Sequence, residues 1–210
     1  MRFFQTPAVF SWLFPRIWWH RKTAEKVLYL TFDDGPIPDV TEFVLNQLAL
    51  YQAKATFFCV GENLERNPAI AEMVYHAGHT LANHTHKHVQ AWKTPVNDYL
   101  LEVERCQSAL NKVQPTANSS MLFRPPHGQL TLAHLKRLQE KYQVVMWSHL
   151  TYDFDQTLPP EKCWDKLKGK LRPGAILVMH DSLKAERNLR FVLPRLLQHA
   201  VSLGYSFKAL

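Results

Sequence analysis

Five short apolar runs, each followed by titratable residues, constrain this chain more than anything else in it. Val27–Phe32 (VLYLTF) runs into Asp33, Asp34, Gly35 and Pro36. His79–Ala82 is followed by Asn83, His84, Thr85, His86, Lys87 and His88. Met121–Phe123 leads into Arg124, Pro125, Pro126 and His127, and Val144–Trp147 precedes Asp153 and Asp155. Ala175–Met179 (AILVM) leads into His180 and Asp181. Runs apolar on successive residues read as strands covered on both faces, which is the pattern of parallel sheets. Ala55–Val60 (ATFFCV) reads the same way, and Ser206–Leu210 as a last strand.

Helical patterns separate the runs. Val40–Tyr51 carries Val40, Val44, Leu45 and Leu48 on one side, and Leu64–Ala77 holds Asn67-Pro68 as a cap and first turn. Thr94-Pro95 opens a longer helix striped by Val96, Leu100, Val103, Leu110 and Val113, and Arg190–Leu203 is another, interrupted by Pro194. Strand–helix alternation at this spacing means an α/β fold, a barrel or a wound sheet. No repeat, low-complexity tract or linker divides the 210 residues, so 27–210 reads as one domain preceded by an N-terminal segment, 1–26. In parallel α/β folds, the loops at the carboxyl ends of the strands gather on one face. Five of them delivering titratable groups to that face predict an active site there.

The residue types suggest a metal. Cys59, Cys106 and Cys163 are odd in number and widely spaced, against a disulfide framework or a cysteine zinc site. His84 and His88 are four apart, so on a helical turn their rings share one side. Asp33-Asp34 supplies a third ligand, with one carboxylate on the ion and the other beside it as a base. Two histidines and one aspartate leave a position open for water, which marks a catalytic ion. His86 points elsewhere and reads as a bystander.

At these residues the chain resembles the polysaccharide deacetylases, carbohydrate esterase family 4. The resemblance rests on Thr31–Pro36 (TFDDGP), His84–His88 (HTHKH), Arg124–Gly128 (RPPHG), Tyr152–Phe154 and Ile176–Asp181 (ILVMHD). It implies a distorted (β/α)7 barrel and hydrolysis of N-acetyl groups on N-acetylglucosamine-containing glycans, chitin-type oligomers or peptidoglycan. The cofactor implied is a divalent metal, zinc, with cobalt or nickel as substitutes. Asp34, His84 and His88 match the metal ligands and Asp33 the general base, with Arg124 its partner. His180 matches the acid that protonates the leaving amine, Asp153 the carboxylate that orients it, and the backbone N–H of His127 an oxyanion donor. Pro126, His127, Phe154 and Trp147 are candidate substrate contacts. His127 replaces the usual Tyr or Phe, and Leu150 and Phe154 replace the first Asp and the Trp of D-x-x-D-W. These departures bear on the sugar groove, not on the metal chemistry. An O-acetyl xylan esterase and a small amide or imide hydrolase fit the same site. A non-catalytic glycan-binding module requires loss of one of Asp33, His84, His88 or His180, and all four are present.

Residues 3–19 are rich in aromatics and uncharged from Phe3 to Pro15. Pro7 and Pro15 interrupt a stretch too short to span a bilayer, and no cleavage-site pattern follows. The segment reads as packing across the domain or as peripheral contact with a membrane surface, with a cytoplasmic or membrane-surface location. The formal charge is +7. Its densest cluster, Lys162, Lys166, Lys168, Lys170 and Arg172, reads as the solvated face of one helix, and no nucleic-acid partner is expected. His20, His76, His134, His149 and His199 are expected at the surface or on helices, and Cys59 in the core.

Overall fold

The computed structural model describes residues 4–7, 9–114 and 121–210, which leaves Phe3 of the aromatic stretch outside the described residues. Strand β1 (Val27–Asp33) lies centrally, parallel to β2 (Ala55–Cys59) on one side and to β7 (Ile176–His180) on the other. Beyond β2 follow β3 (Thr80–Asn83), β4 (Leu122–Phe123) and β5 (Gln143–Val144). Beyond β7 lies β6 (His149–Leu150), while β8 (Ser206–Phe207) pairs with the start of β1. Every ladder is parallel, and the sheet curls into a half-barrel covered by helices, the distorted barrel expected from the sequence.

The apolar runs become the central strands because both of their faces are covered. Strand β2 is buried at all five positions and β7 at four of five. Leu28, Leu30 and Phe32 of β1 share one core cluster with Val40, Val44 and Leu48 of α2 (Val40–Leu50) and with Leu189, Leu193 and Leu197 of α8 (Glu186–Ser202). Such burial contributes about 1.5–3 kcal/mol per large aliphatic side chain. Cys59, Cys106 and Cys163 are all free and buried.

Several expected elements differ in detail. The helix expected over Leu64–Ala77 is two, α3 (Gly61–Arg66) and α4 (Pro68–His76). Asn67 adopts φ −128°, ψ 53° between them, since the residue before a proline is driven from the helical region. Of the strand expected at Val144–Trp147 only Val144 lies in β5, and 145–147 belong to the bend between β5 and β6, so both ends of the sheet belong to one stretch of chain. Helix α5 (Val96–Val113) starts after Pro95 as expected, but its buried face includes Tyr99 and Cys106. Two elements had no strong periodicity to announce them, α1 (Val9–Leu13) and α6 (Leu132–Leu138). Helix α7 (Pro160–Leu167) ends before Lys168, Lys170 and Arg172, so the basic cluster is exposed but not one helical face. Helix α8 runs through Pro194. His134 lies on α6 as expected, though buried, whereas His149 is a buried strand residue, and burial pulls its imidazole down to about 4.

The N-terminal segment is hydrogen-bonded to the bend between β5 and β6. Thr6 N–H donates to the Ser148 carbonyl at 3.0 Å, Leu150 N–H to Phe4 at 3.0 Å, Trp18 N–H to Val144 at 3.0 Å and Met146 N–H to Trp18 at 2.8 Å. No helix among the described residues is long and apolar enough to cross a membrane. Further along, Arg21 N–H donates to the Gly174 carbonyl and Gly174 N–H to Val27, both at 2.8 Å. Gly174 has φ +79°, and a Cβ there would run into the Arg21 carbonyl oxygen. Gly174→Ala should therefore lower the stability read by urea unfolding by roughly 2–4 kcal/mol.

Candidate metal centre and active site

The strand ends place the titratable groups on one side of the sheet. Asp33 is the last residue of β1 and is the register partner of His180 on β7. Their backbones are thus one strand spacing apart, about 4.8 Å. Asp34 leaves the strand with φ 86°, which turns its side chain away from that of Asp33. The turn after it is tied from several sides. Asn63 Nδ2 donates to the Asp34 carbonyl at 2.7 Å and Asn67 Nδ2 to the Pro36 carbonyl at 3.0 Å. Gly35 N–H donates to Asp181 Oδ1 at 3.1 Å, and the Thr41 hydroxyl to Asp181 Oδ2 at 2.6 Å. Burial pushes the Asp181 carboxyl up to about 8, against these two hydrogen bonds.

His84 and His88 meet, though not on a helical turn. They lie on the loop after β3, where Thr85 and His88 adopt φ 62° and 53°. Thr85 N–H donates to Asn83 Oδ1 at 3.0 Å and Val89 N–H to Thr85 Oγ1 at 3.2 Å, so local side chains hold the loop. The ring centroids of His84 and His88 are 5.0 Å apart. Their Nε2 atoms lie 3.8 Å and 3.3 Å from Asp34 Oδ1. One donor atom from each of Asp34, His84 and His88 falls within 4.8 Å of the other two, which suits a single ion. His84 is the best defined of the three: Nδ1 donates to the Arg124 carbonyl at 2.7 Å, which leaves Nε2 with its lone pair toward Asp34. Burial, with the His88 charge, holds the His84 imidazole well below its ordinary value and keeps it neutral. His86 faces away, with Nε2 3.7 Å from Glu65.

Asp33 has a different partner. Arg124 Nη1 donates to Asp33 Oδ1 at 2.6 Å and to Thr31 Oγ1 at 2.7 Å; Nη2 and Nε donate to the carbonyls of Met146 at 3.0 Å and Val145 at 3.3 Å. Its guanidinium carbon is 4.1 Å from the centroid of Phe58. Arg124 is fully buried and Asp33 only 4% exposed. On the other side, His180 Nδ1 is 2.8 Å from Asp153 Oδ1, and His180 N–H donates to Oδ2 at 2.7 Å. Asp153 also accepts from the Thr151 hydroxyl and the Phe154 N–H. Burial disfavours the imidazolium of His180, but the charges of Asp153, Asp34 and Asp33 outweigh it and raise its pKa to about 9.

These groups share a cleft of about 400 Å³, lined by Asp33, Asp34, His84, His88, His127, His180, Trp147 and Phe154 together with Leu150, Val178 and Lys184. Phe154 stands edge-on to His180 at 4.9 Å, and His127 to His88 at 4.6 Å. Three expected members sit behind the wall instead, Arg124 beneath Asp33 among them. Asp153 is completely buried beneath His180, and Pro126 is buried while its neighbour Pro125 lines the cleft. Sequence reasoning assigned no role to Asp181 or Thr31, although both stand inside the quoted motifs. Val178 also stands inside a quoted motif without a role, whereas Asn63 and Lys184 lie in none. Removing one member of a buried ion pair strands its partner's charge. Arg124→Leu should accordingly lose about 3–5 kcal/mol in urea unfolding, and adding Asp33→Asn to the same chain should recover part of it.

The geometry agrees with three comparisons. A family model described as polysaccharide deacetylase matches residues 20–146. A peptidoglycan-N-acetylglucosamine deacetylase of Bacillus cereus is 32% identical over 191 residues, covering 90% of this chain and 88% of the relative. A chitooligosaccharide deacetylase of Rhizobium leguminosarum bv. trifolii is 29% identical over 158 residues, covering 75% and 72%. Among solved structures, the Bc1960 peptidoglycan N-acetylglucosamine deacetylase matches with a TM-score of 0.87 at 26% identity, over 98% of this chain and 95% of that one. Matched in sequence through its first three motifs and in fold along almost its whole length, this chain belongs to the polysaccharide deacetylase family.

Proposed function

We propose that the cleft removes N-acetyl groups from N-acetylglucosamine-containing glycans, peptidoglycan or chitin-type oligomers, with a divalent metal, zinc, held by Asp34, His84 and His88. The reading rests above all on one observation: adjacent aspartates face different partners, Asp34 the histidine pair and Asp33 the buried Arg124. Family membership makes the chain a hydrolase of carbon–nitrogen bonds, and relatives named for peptidoglycan and chitooligosaccharide support the glycan class.

The donor set fits the ion, since two imidazoles and one carboxylate are borderline ligands that leave room for water. Held by Asp34, His84 and His88, a divalent cation would lower the pKa of water toward about 7 and polarise an amide carbonyl. Asp33, oriented by Arg124, accepts the proton of the attacking water. The backbone N–H of His127, on the cleft wall, is the donor for the developing oxyanion. Across the cleft His180 keeps Nδ1–H on Asp153 and turns Nε2 toward the leaving nitrogen. An amine anion is too basic to depart, so His180 protonates the nitrogen as its bond to the acetyl carbon breaks. The products are acetate and the free amine. Trp147 and Phe154 present ring faces suited to the C–H face of a sugar.

Acetate release from N-acetylglucosamine oligomers tests the reading. The metal-stripped protein should release none, and zinc or cobalt should restore release. The restored rate should fall at alkaline pH, as His180, whose imidazolium Asp153 stabilises against burial, loses its proton. Release unaffected by chelation, or absent with every acetylated glycan, contradicts it.

A further inference from the structure

A second cavity, about 560 Å³, meets the catalytic cleft at Lys184, which lines both. It lies at the start of α8, and cations dominate its lining. Lys184 Nζ stands 5.7 Å from the centroid of Phe154, the ring that is edge-on to His180. Arg187 is fixed by neutral acceptors. Its Nε donates to Asn188 Oδ1 at 3.2 Å, and its Nη2 to the carbonyls of Gln156 at 3.2 Å and Leu158 at 3.1 Å. Asn188 is itself buried and holds the same loop, its Nδ2 donating to the Asp153 carbonyl at 3.0 Å. Arg190 is neutralised by Glu186, with Nε donating to Oε1 at 2.8 Å. Gln156 and the exposed Leu183 complete the lining, so Glu186 is the one acid on it. Among the described residues neither Lys184 nor Arg187 is ion-paired.

Resting on the deacetylase reading, we propose that Lys184 and Arg187 receive a carboxylate carried on a side chain of the substrate glycan. The substrate is then an acidic glycan of the peptidoglycan kind rather than a neutral chitin-type oligomer. Muramic acid bears a lactyl ether that ends in a carboxyl group, or in a peptide with carboxyls of its own; a chitin-type chain has neither. The acids of the cleft are already matched: Asp33 by Arg124, Asp34 by the histidine pair and Asp153 by His180. The charge left uncompensated at this end is therefore positive. Lys184 stands beside the ring on which a sugar would lie, and Arg187 waits in the cavity beyond it. An ammonium and a guanidinium both give charge-assisted hydrogen bonds to a carboxylate. Arg187 is already held in place by its neutral partners, so binding has little further to order there.

Calorimetric titration of the zinc-loaded protein reads the subsite without turnover when the probes carry no acetyl group. They are cellobiose bearing a lactyl ether on its reducing-end sugar, and the same disaccharide with alanine joined to the lactyl group. Each is used as the free acid and as its methyl ester. At low salt at least one acid should bind roughly fivefold tighter than its ester, the scale of one partly exposed ion pair. High salt should shrink the difference. A difference for the lactyl acid assigns the carboxylate to the sugar, and one for the alanine acid alone assigns it to a peptide. Lys184→Ala and Arg187→Ala should each remove most of it, Lys184→Arg should keep it, and Lys184→Glu should reverse it. Lys184 is exposed, so its variants keep the test valid should Arg187→Ala fail to fold. Lys166→Ala, at an exposed residue that lines neither cavity, should leave the difference intact. Three results overturn the proposal: equal affinity of each acid and its ester, no binding of any probe, or a difference that survives Lys184→Ala, as a carboxylate on the ion would give. Acetate release from the matching N-acetylated disaccharides is measured separately. Its failure overturns the deacetylase reading while the acid–ester difference still decides the subsite.

Discussion

The buried pair of Arg124 and Asp33 organises this molecule. A guanidinium with no exposed surface needs its donors satisfied, and Arg124 spends them on Asp33, Thr31 and the carbonyls of Val145 and Met146. Those partners come from β1 and from the bend between β5 and β6, so a single side chain ties the centre of the sheet to the stretch that forms both of its ends. Its own carbonyl takes the Nδ1–H of His84. One residue thereby orients a candidate base and a candidate ligand at once. In a low-dielectric interior such a network is costly to break and holds its members in fixed places.

Strand register does the rest of the positioning. Parallel pairing of β1 with β7 sets Asp33 beside His180, and pairing with β2 sets it beside Phe58, whose ring lies under Arg124. A deacetylase needs a base near the water and an acid near the nitrogen, on opposite sides of one carbonyl. Two adjacent strand ends supply that separation without any special loop. The loop after β3 then has to bring two imidazoles back over the strand ends, and it does so through two residues at positive φ rather than through a helix.

Much of this was legible in the residues alone. Continuous apolar runs announce strands buried on both faces, and those of β1, β3, β4 and β7 end where the chemistry begins, so the fold class and the cleft's principal groups are read directly from them. Short elements were less legible. Strand β6 has two residues, and its pairing depends on β7 and on Gln5, which are remote in sequence. The conformation around His84 and His88 escaped because a spacing of four suits a helix and a folded loop equally well. Asp181 escaped because its role, holding the turn that carries Asp34, exists only once β1 and β7 are side by side. His149 is buried on β6, where Gln5 of the N-terminal segment bridges to it, a pairing remote in sequence.

The central claim is that two neighbouring carboxylates have separate duties, Asp34 to the ion and Asp33 to the proton. Zinc titration into metal-stripped wild type, Asp33→Asn and Asp34→Asn, with acetate release measured on the same samples, tests it most directly. The account predicts that Asp34→Asn loses zinc affinity by tenfold or more, whereas Asp33→Asn binds zinc as the wild type does and releases no acetate. Equal loss of zinc affinity in the two variants, or full acetate release by Asp33→Asn, would contradict it.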